Sequence, residues 1–424
     1  MASGAESQSR STPAIKIYGK VGCPQAYAIR DFLHRNDVPF HWIELRTEEQ
    51  CRALGIDALG DEGAFVCVFP DETRLEKPTV RQIVEKLGWF HNPSLSEYDL
   101  AIFGAGPAGL SAAVYGASEG LKTVLVERWA VGGQAGSSPK IENYLGFPNG
   151  VSGADLAERA REQACRFGAE ILLACEGVRG EFTTGKRVGY LADGTKISAR
   201  AAICATGIDY SHLGLPNEGK FHGAGLYYGA GAREAELCGS EHVFIAGGGN
   251  SAGQASIHFA RFARKVTIVV RGDSLKATLS QYLIDRITST SNIEVLTNSD
   301  ATALHGDKIL EAVTLKNRLT SQEQTRKTKW LFVCIGGAPR TDWAVEAGVV
   351  RDEAGYLVTG PDLLLECKRP NGWPLNRGPY YLETNVPGLF AAGDVRHGSV
   401  KRCASAVGEG AMSVMFVHRY LAEG

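Results

Sequence analysis

The apolar residues of this chain come in short runs closed by glycine, proline or acidic turns, and strand-like and helix-like spacings alternate. Residues 15–18 read as a strand, followed by Gly-Lys-Val-Gly-Cys-Pro. Ile29, Phe32 and Leu33 then recur at helical spacing across 24–36, and 38–45 makes the next strand. Residues 64–69 and 74–76 flank the turn Pro70-Asp71-Glu72 as a hairpin, and Pro78 opens a helix over 79–87. The polar stretch His91-Asn92-Pro93-Ser94 closes this first unit.

A sharper pattern follows. Residues 98–103 read as a short buried strand, then come Gly104-Ala105-Gly106-Pro107-Ala108-Gly109 and a helix to about residue 119. A strand over 122–126 ends in Glu127, 23 positions after the first glycine. This is the full context of a dinucleotide-binding turn. Gly104 permits the tight turn, Gly106 lets a pyrophosphate approach the backbone, and Gly109 lets the helix, opened by Pro107 and Ala108, pack on the strand. Glu127 is placed to accept from ribose hydroxyls.

The pattern returns at 243–246, with Gly247-Gly248-Gly249-Asn250-Ser251-Ala252, a helix to 263 and a strand over 265–270. The position of the acid is now Val270, with Arg271 next to it and Lys276 nearby. A carboxylate there suits NAD, whereas a 2′-phosphate needs a cation, so NADPH is the expected second nucleotide and NADH stays open. Two such turns in one chain suit FAD in one and a nicotinamide nucleotide in the other, aligned for hydride transfer. A third apolar run, 387–394, ends in Gly393-Asp394 ahead of a helix beginning near Ala404. Asp394 is placed to bond a ribityl chain, and that helix N-terminus to face the electron-rich edge of a reduced flavin.

Composition supports this map. Glycine makes up 51 of 424 residues, about 12% against about 7% in ordinary proteins. Only seven lie in 1–95, so the excess belongs to the second part of the chain. With 44% hydrophobic residues and a net charge of −2, disorder is excluded, and the charge balance argues against a dedicated nucleic-acid binder. The apolar stretch 100–117 is broken by four glycines, a proline and a serine, and reads as strand plus helix instead of a membrane span. The N-terminal residues lack the apolar core of a signal peptide. Ten cysteines at 23, 51, 67, 165, 175, 204, 238, 334, 367 and 403 form no Cys-x-x-Cys and no paired Cys/His spacing. No metal site and no disulfide scaffold are expected, and a reducing cytoplasm is the expected compartment.

Residues 97–424 resemble the low-molecular-weight thioredoxin reductases. The resemblance is carried by GAGPAG (104–109), GGQ (132–134), IENYLGFP (141–148), ATG (205–207), GGGNSA (247–252), IGGAPRT (335–341), FAAGDV (390–395) and RCASA (402–406). It implies an α/β fold with two Rossmann-like three-layer dinucleotide-binding domains. The FAD domain would be discontinuous (97–215 and 341–424), with an NAD(P)H domain inserted at 216–340. By resemblance, FAD contacts would come from Gly104, Gly106, Gly109, Glu127, Gly132, Gly133, Gln134, Asn143, Thr206, Gly207, Gly393 and Asp394. Arg402, Cys403 and Ala404 would lie beside the flavin ring. The resemblance also implies a homodimer.

Two departures stand out. The cysteine pair that flavin reduces in that family falls here on Ala230 and Arg233, so the redox disulfide is absent. The family's NADPH signature is half retained, in Arg271 and Lys276. Residues 1–93 resemble glutaredoxins and other thioredoxin-fold domains through Lys20-Val21-Gly22-Cys23-Pro24, with Ala26 in place of a second cysteine. A helix N-terminus and Lys20 would favour the Cys23 thiolate. The candidate redox thiols are therefore Cys23 and Cys238, with Cys403 at the expected flavin edge as a third. The expected activity is that of an FAD-dependent NAD(P)H oxidoreductase. Its acceptor would be a thioredoxin-like, glutaredoxin-like or ferredoxin-like redox protein. Three exits stay open: a thiol relay, direct transfer from flavin as in ferredoxin–NADP reductases, and a non-enzymatic flavin sensor.

Overall fold

The computed structural model describes residues 14–20, 23–36, 38–55, 64–89, 91–183, 185–229, 234–364 and 368–423. The first unit is built on the strand Ile15–Gly19, which pairs in parallel with Phe40–Glu44 and antiparallel with Phe65–Val68. Arg74–Glu76 completes a four-stranded sheet through the expected hairpin. The helix Pro24–Arg35 buries Ala26, Ile29, Phe32 and Leu33, the face its spacing announces. The second strand starts at Phe40 and not at 38, because Val38 N–H donates to the Leu33 carbonyl (2.8 Å) and closes the helix end first. A helix the apolar pattern did not show, Glu48–Ala53, is held by a reciprocal cap between Thr47 and Gln50. The last helix is Val80–Lys86, with Thr79 as its N-cap.

The second unit has a seven-stranded sheet. Glu170–Leu173, Thr123–Glu127, Tyr98–Phe103 and Lys196–Cys204 lie side by side in parallel. Lys186–Leu191 and Gly177–Thr183 continue it antiparallel. Leu389–Ala391 joins in parallel beside Ala202–Cys204, so a segment far along the chain returns to this sheet. The helices Pro107–Ser118 and Cys403–Glu423 pack closely. A Cβ on Gly410 would meet the Ala108 carbonyl oxygen at 2.1 Å, and Ser111 Oγ donates to the Val407 carbonyl (2.8 Å).

Between those segments lies a five-stranded parallel sheet ordered Leu226–Tyr228, Trp330–Val333, His242–Ala246, Lys265–Val269 and Ile293–Leu296. A three-stranded antiparallel sheet follows Ile293–Leu296 in the chain. The two chain crossings meet in a ribbon, Asp209–Tyr210 against Gly337–Ala338. The helix Asn250–Phe259 ends before the expected 263, since the Asn292 side-chain amide caps the carbonyls of Ala260 and Ala263 (2.8 and 3.1 Å). Among the described residues no helix is long and apolar enough to cross a membrane.

Candidate functional site

The first glycine turn is forced by sterics. Gly104 has φ +103°, and a Cβ there would lie 2.4 Å from the Ala205 carbonyl oxygen. A Cβ on Gly109 would lie 1.8 Å from the Gly104 carbonyl oxygen. Gly106 caps the Pro107–Ser118 helix without a side-chain hydrogen bond, and the space around its would-be Cβ is open to 4 Å. The helix therefore presents backbone N–H groups and the positive end of its dipole to an open space, the arrangement that binds phosphate. Glu127 is buried, and its carboxylate accepts from Ala105 N–H (2.7 Å) and Trp129 N–H (2.8 Å). Burial raises its pKa above the usual carboxylate range, against those two bonds. Each oxygen keeps a further acceptor position.

A cavity of about 1040 Å³ opens in front of this turn. Gly104, Gly106, Pro107, Ala108 and Glu127 line it, as do Gly133, Gln134 and Asn143. Thr206, Gly207, Gly393, Asp394, Arg402 and Cys403 complete the set of expected wall residues that the structure brings together. Gly109, Gly132 and Ala404 are not wall residues. Gly132 instead sets the turn behind it, with φ +97° and its N–H donating to the Ala105 carbonyl (2.8 Å). Gln134 Nε2 donates to the Ile208 carbonyl (2.6 Å), tying the wall to the approach of the ribbon.

Burial raises the Asp394 carboxyl above its ordinary value. Behind it Glu409 accepts from Gly393 N–H (2.7 Å) and pairs with the buried Arg396 (2.6 Å). Cys403 begins the 21-residue helix Cys403–Glu423 at the cavity wall. Burial, and then the nearby Asp394, push its thiol up to about 11.

The second glycine turn repeats the first. Gly247 has φ +142°, and its Cβ would lie 2.2 Å from the Cys334 carbonyl oxygen. Gly249 caps Asn250–Phe259 with no side-chain bond and open space around it. Asn250 Oδ1 accepts from Ser280 N–H (2.8 Å). Asn250 and Ser251 line the same cavity as the first turn, while Gly247, Gly249 and Ala252 stand behind them. Arg271 and Lys276 are exposed and lie outside the cavity lining; Arg271 pairs with Asp300 (3.0 Å).

Two of the candidate thiols are not brought to the cavity. Cys23 is 2% exposed, and its sulfur caps the Pro24–Arg35 helix by accepting from Ala26 N–H (3.4 Å). Cys238 is fully buried and donates to the Glu234 carbonyl (2.9 Å); burial first, then Glu234, raise its pKa well above the ordinary thiol value. Ala230 and Arg233 lie outside the described residues.

Several wall residues carry no sequence motif. Arg128, Asp209, Glu176 and Arg340 all line the cavity and form one ion-pair network. In it Arg128 meets Asp209, and Arg340 reaches Asp209 (3.4 Å) and Glu176 (3.3 Å). Trp129, Cys204, Tyr210, Gln254 and Lys401 also line it, as does Arg35 from the first unit. Adjacency to Glu127 and Arg402 could have flagged Arg128 and Lys401; nothing local flags Arg35.

The profile of the pyridine nucleotide-disulphide oxidoreductases matches residues 98–410. The chain is 33% identical to a thioredoxin reductase of Peptoclostridium acidaminophilum over 330 residues, covering 76% of this chain and 97% of that protein. It is 34% identical to a thioredoxin reductase of Bacillus subtilis (strain 168) over 328 residues, covering 77% and 95%. Among solved structures, the thioredoxin reductase of Lactococcus lactis in its FR conformation superposes with a TM-score of 0.69 at 27% identity, over 77% of this chain and all of that one. The thioredoxin reductase of T. acidophilum gives 0.68 at 29% identity, over 77% and 99%.

Proposed function

From the premise that the chain belongs to the pyridine nucleotide-disulphide oxidoreductase family, as an FAD-containing enzyme of the thioredoxin-reductase type that uses NADPH, we propose that its electrons leave the flavin site directly for an external thioredoxin-like redox protein. The observation that carries this reading is the placement of the thiols. The chain has no Cys-x-x-Cys, Cys23 and Cys238 are buried away from the cavity, and the thiols that do line it, Cys175, Cys204 and Cys403, are free and each pushed up by burial.

The residues fit FAD. The open space at Gly106, the uncapped N–H groups of the Pro107–Ser118 helix and the tight contacts at Gly104 and Gly109 make a pyrophosphate cradle that a Cβ would fill. Bound there, a flavin supplies the chemistry of taking hydride from a nicotinamide and passing electrons on. Glu127 would hold the ribose, Asp394 the ribityl chain, and the N-terminus of Cys403–Glu423 would favour negative charge on the ring system. Asn250 and Ser251, at the uncapped start of the second nucleotide helix, would hold the nicotinamide dinucleotide against the same cavity. Arg271 would meet the 2′-phosphate, in competition with Asp300.

We read the domains as 1–93, 97–215, 216–340 and 341–424, the first a glutaredoxin-like thioredoxin fold. Its mixed four-stranded sheet, with a helix between the two parallel strands, supports that. Exposed Tyr115, Met412 and Met415 on the packed helix pair support a homodimer. A ferredoxin-like acceptor is the second reading, favoured by the same lack of a cysteine pair.

Anaerobic NADPH oxidation coupled to reduction of a thioredoxin-like disulfide or a ferredoxin tests the exit. Turnover that survives Cys23→Ser, Cys238→Ser and Cys403→Ser is expected. Loss of turnover in any of these serine variants, with flavin still bound and reducible, would establish a thiol relay instead. A colourless protein that releases no flavin would refute the whole reading.

A further inference from the structure

The first unit is not tethered loosely. Its Pro24–Arg35 helix lies against both dinucleotide-binding units at once. On one side Asp31 accepts from Trp129 Nε1 (3.1 Å), and the Phe32 and Trp129 rings meet edge-on at 6.2 Å. On the other, Tyr27 packs on Tyr227 (5.4 Å) and His222 (5.9 Å). Its last residue, Arg35, lines the dinucleotide cavity together with Trp129, Glu127 and Tyr210.

Arg35 is held in place by an ion pair with Asp31 (2.9 Å), which engages only its Nε edge. Asp31 is fixed in turn by Trp129. Among the described residues no acceptor bonds its terminal nitrogens Nη1 and Nη2. A side chain only 17% exposed thus brings a positioned, planar cation to a cavity built for phosphates. Arginine forks of this kind match phosphate oxygens two at a time.

We infer that Arg35 binds a phosphate group of a dinucleotide in this cavity, so that the appended unit is part of the nucleotide-binding site. The inference rests on the FAD and NADPH assignment above and adds a ligand-binding residue from outside either nucleotide fold. The ligand chemistry is a pyrophosphate, which FAD and NADPH share.

The test uses the full-length protein, stripped of flavin and reconstituted, as wild type, Arg35→Gln, Arg35→Lys and the control Arg46→Gln. Arg46 pairs with Glu44 on the exposed side of the first unit. FAD affinity is read from flavin fluorescence, and NADPH affinity from its own fluorescence on the flavin-free protein. Arg35→Gln is expected to weaken one of them about tenfold, an effect that fades at high salt. Arg35→Lys should recover most of it, and Arg46→Gln should match wild type. A loss confined to FAD assigns the flavin's phosphates, and a loss confined to NADPH assigns the nicotinamide nucleotide's. Affinities within twofold of wild type for both nucleotides would overturn the inference. So would a loss that neither lysine nor salt changes, which marks a packing role. Wild type binding neither nucleotide would instead refute the cofactor assignment itself.

Discussion

Gly106→Ala separates binding from folding at the first nucleotide turn. Gly106 sits at φ −71° and ψ −178°, a conformation alanine adopts freely, and nothing lies within 4 Å of its would-be Cβ. Alanine is a poorer N-cap than glycine by about 0.5–1 kcal/mol, while the stiffer unfolded chain returns about 0.4–1 kcal/mol. The thermal midpoint of flavin-free protein should therefore move by no more than about 2 °C. The new methyl, however, stands where a pyrophosphate must approach the N–H groups. Losing one hydrogen bond to a charged group costs about 1.5–3 kcal/mol, a Kd weaker by roughly 10- to 150-fold. Gly109→Ala is the counterpart. Its Cβ would sit 1.8 Å from backbone oxygen, so the flavin-free fold itself should lose about 1–3 kcal/mol. Fluorescence titration with FAD and a melt of the flavin-free protein read both quantities. A Gly106→Ala protein that binds FAD as tightly as wild type would refute the placement of the phosphates.

Arg271→Ala should lower the NADPH/NADH ratio of kcat/KM several-fold, and an unchanged ratio would remove Arg271 from the 2′-phosphate. Because burial and Asp394 push Cys403 up to about 11, alkylation of flavin-free protein should accelerate about tenfold per pH unit across pH 8 to 10. A rate already flat at pH 8, measured by peptide mass spectrometry, would contradict that environment. His242, held down to about 4 by burial and then by Lys265, is neutral when folded, whereas the unfolded residue takes a proton near 6.5. It should therefore subtract stability progressively as pH falls from about 6.5 towards 4 and have no influence above. His242→Gln, melted across that range, should show a shallower pH slope than wild type.

The glycine turns were legible because sterics leave no alternative. Gly104, Gly109 and Gly247 each face a carbonyl oxygen that no side chain could share, so the motif carries its own geometry. The Thr47–Gln50 cap was also written in the sequence, but its helix buries only Cys51 and shows no apolar period. What could not be read locally depends on docking. Arg35 reaches the cavity only because Asp31, Phe32 and Tyr27 find partners about a hundred or two hundred residues away. Glu409 likewise supports Gly393 only once the last helix has packed behind it. Motifs gave the floor of the cavity, and tertiary contacts gave its charged rim.

The ribbon of Asp209–Tyr210 and Gly337–Ala338 has a meaning for the history and engineering of the chain. Entry to and exit from the intervening sheets are hydrogen-bonded neighbours, and the host sheet closes across the gap where Leu389–Ala391 lies beside Ala202–Cys204. A segment whose two ends meet can be exchanged like a cassette, since its replacement needs only to present two adjacent strand ends. If the intervening segment holds the nicotinamide nucleotide, as proposed above, transplanting it is expected to re-draw donor specificity while the host sheet keeps its own architecture.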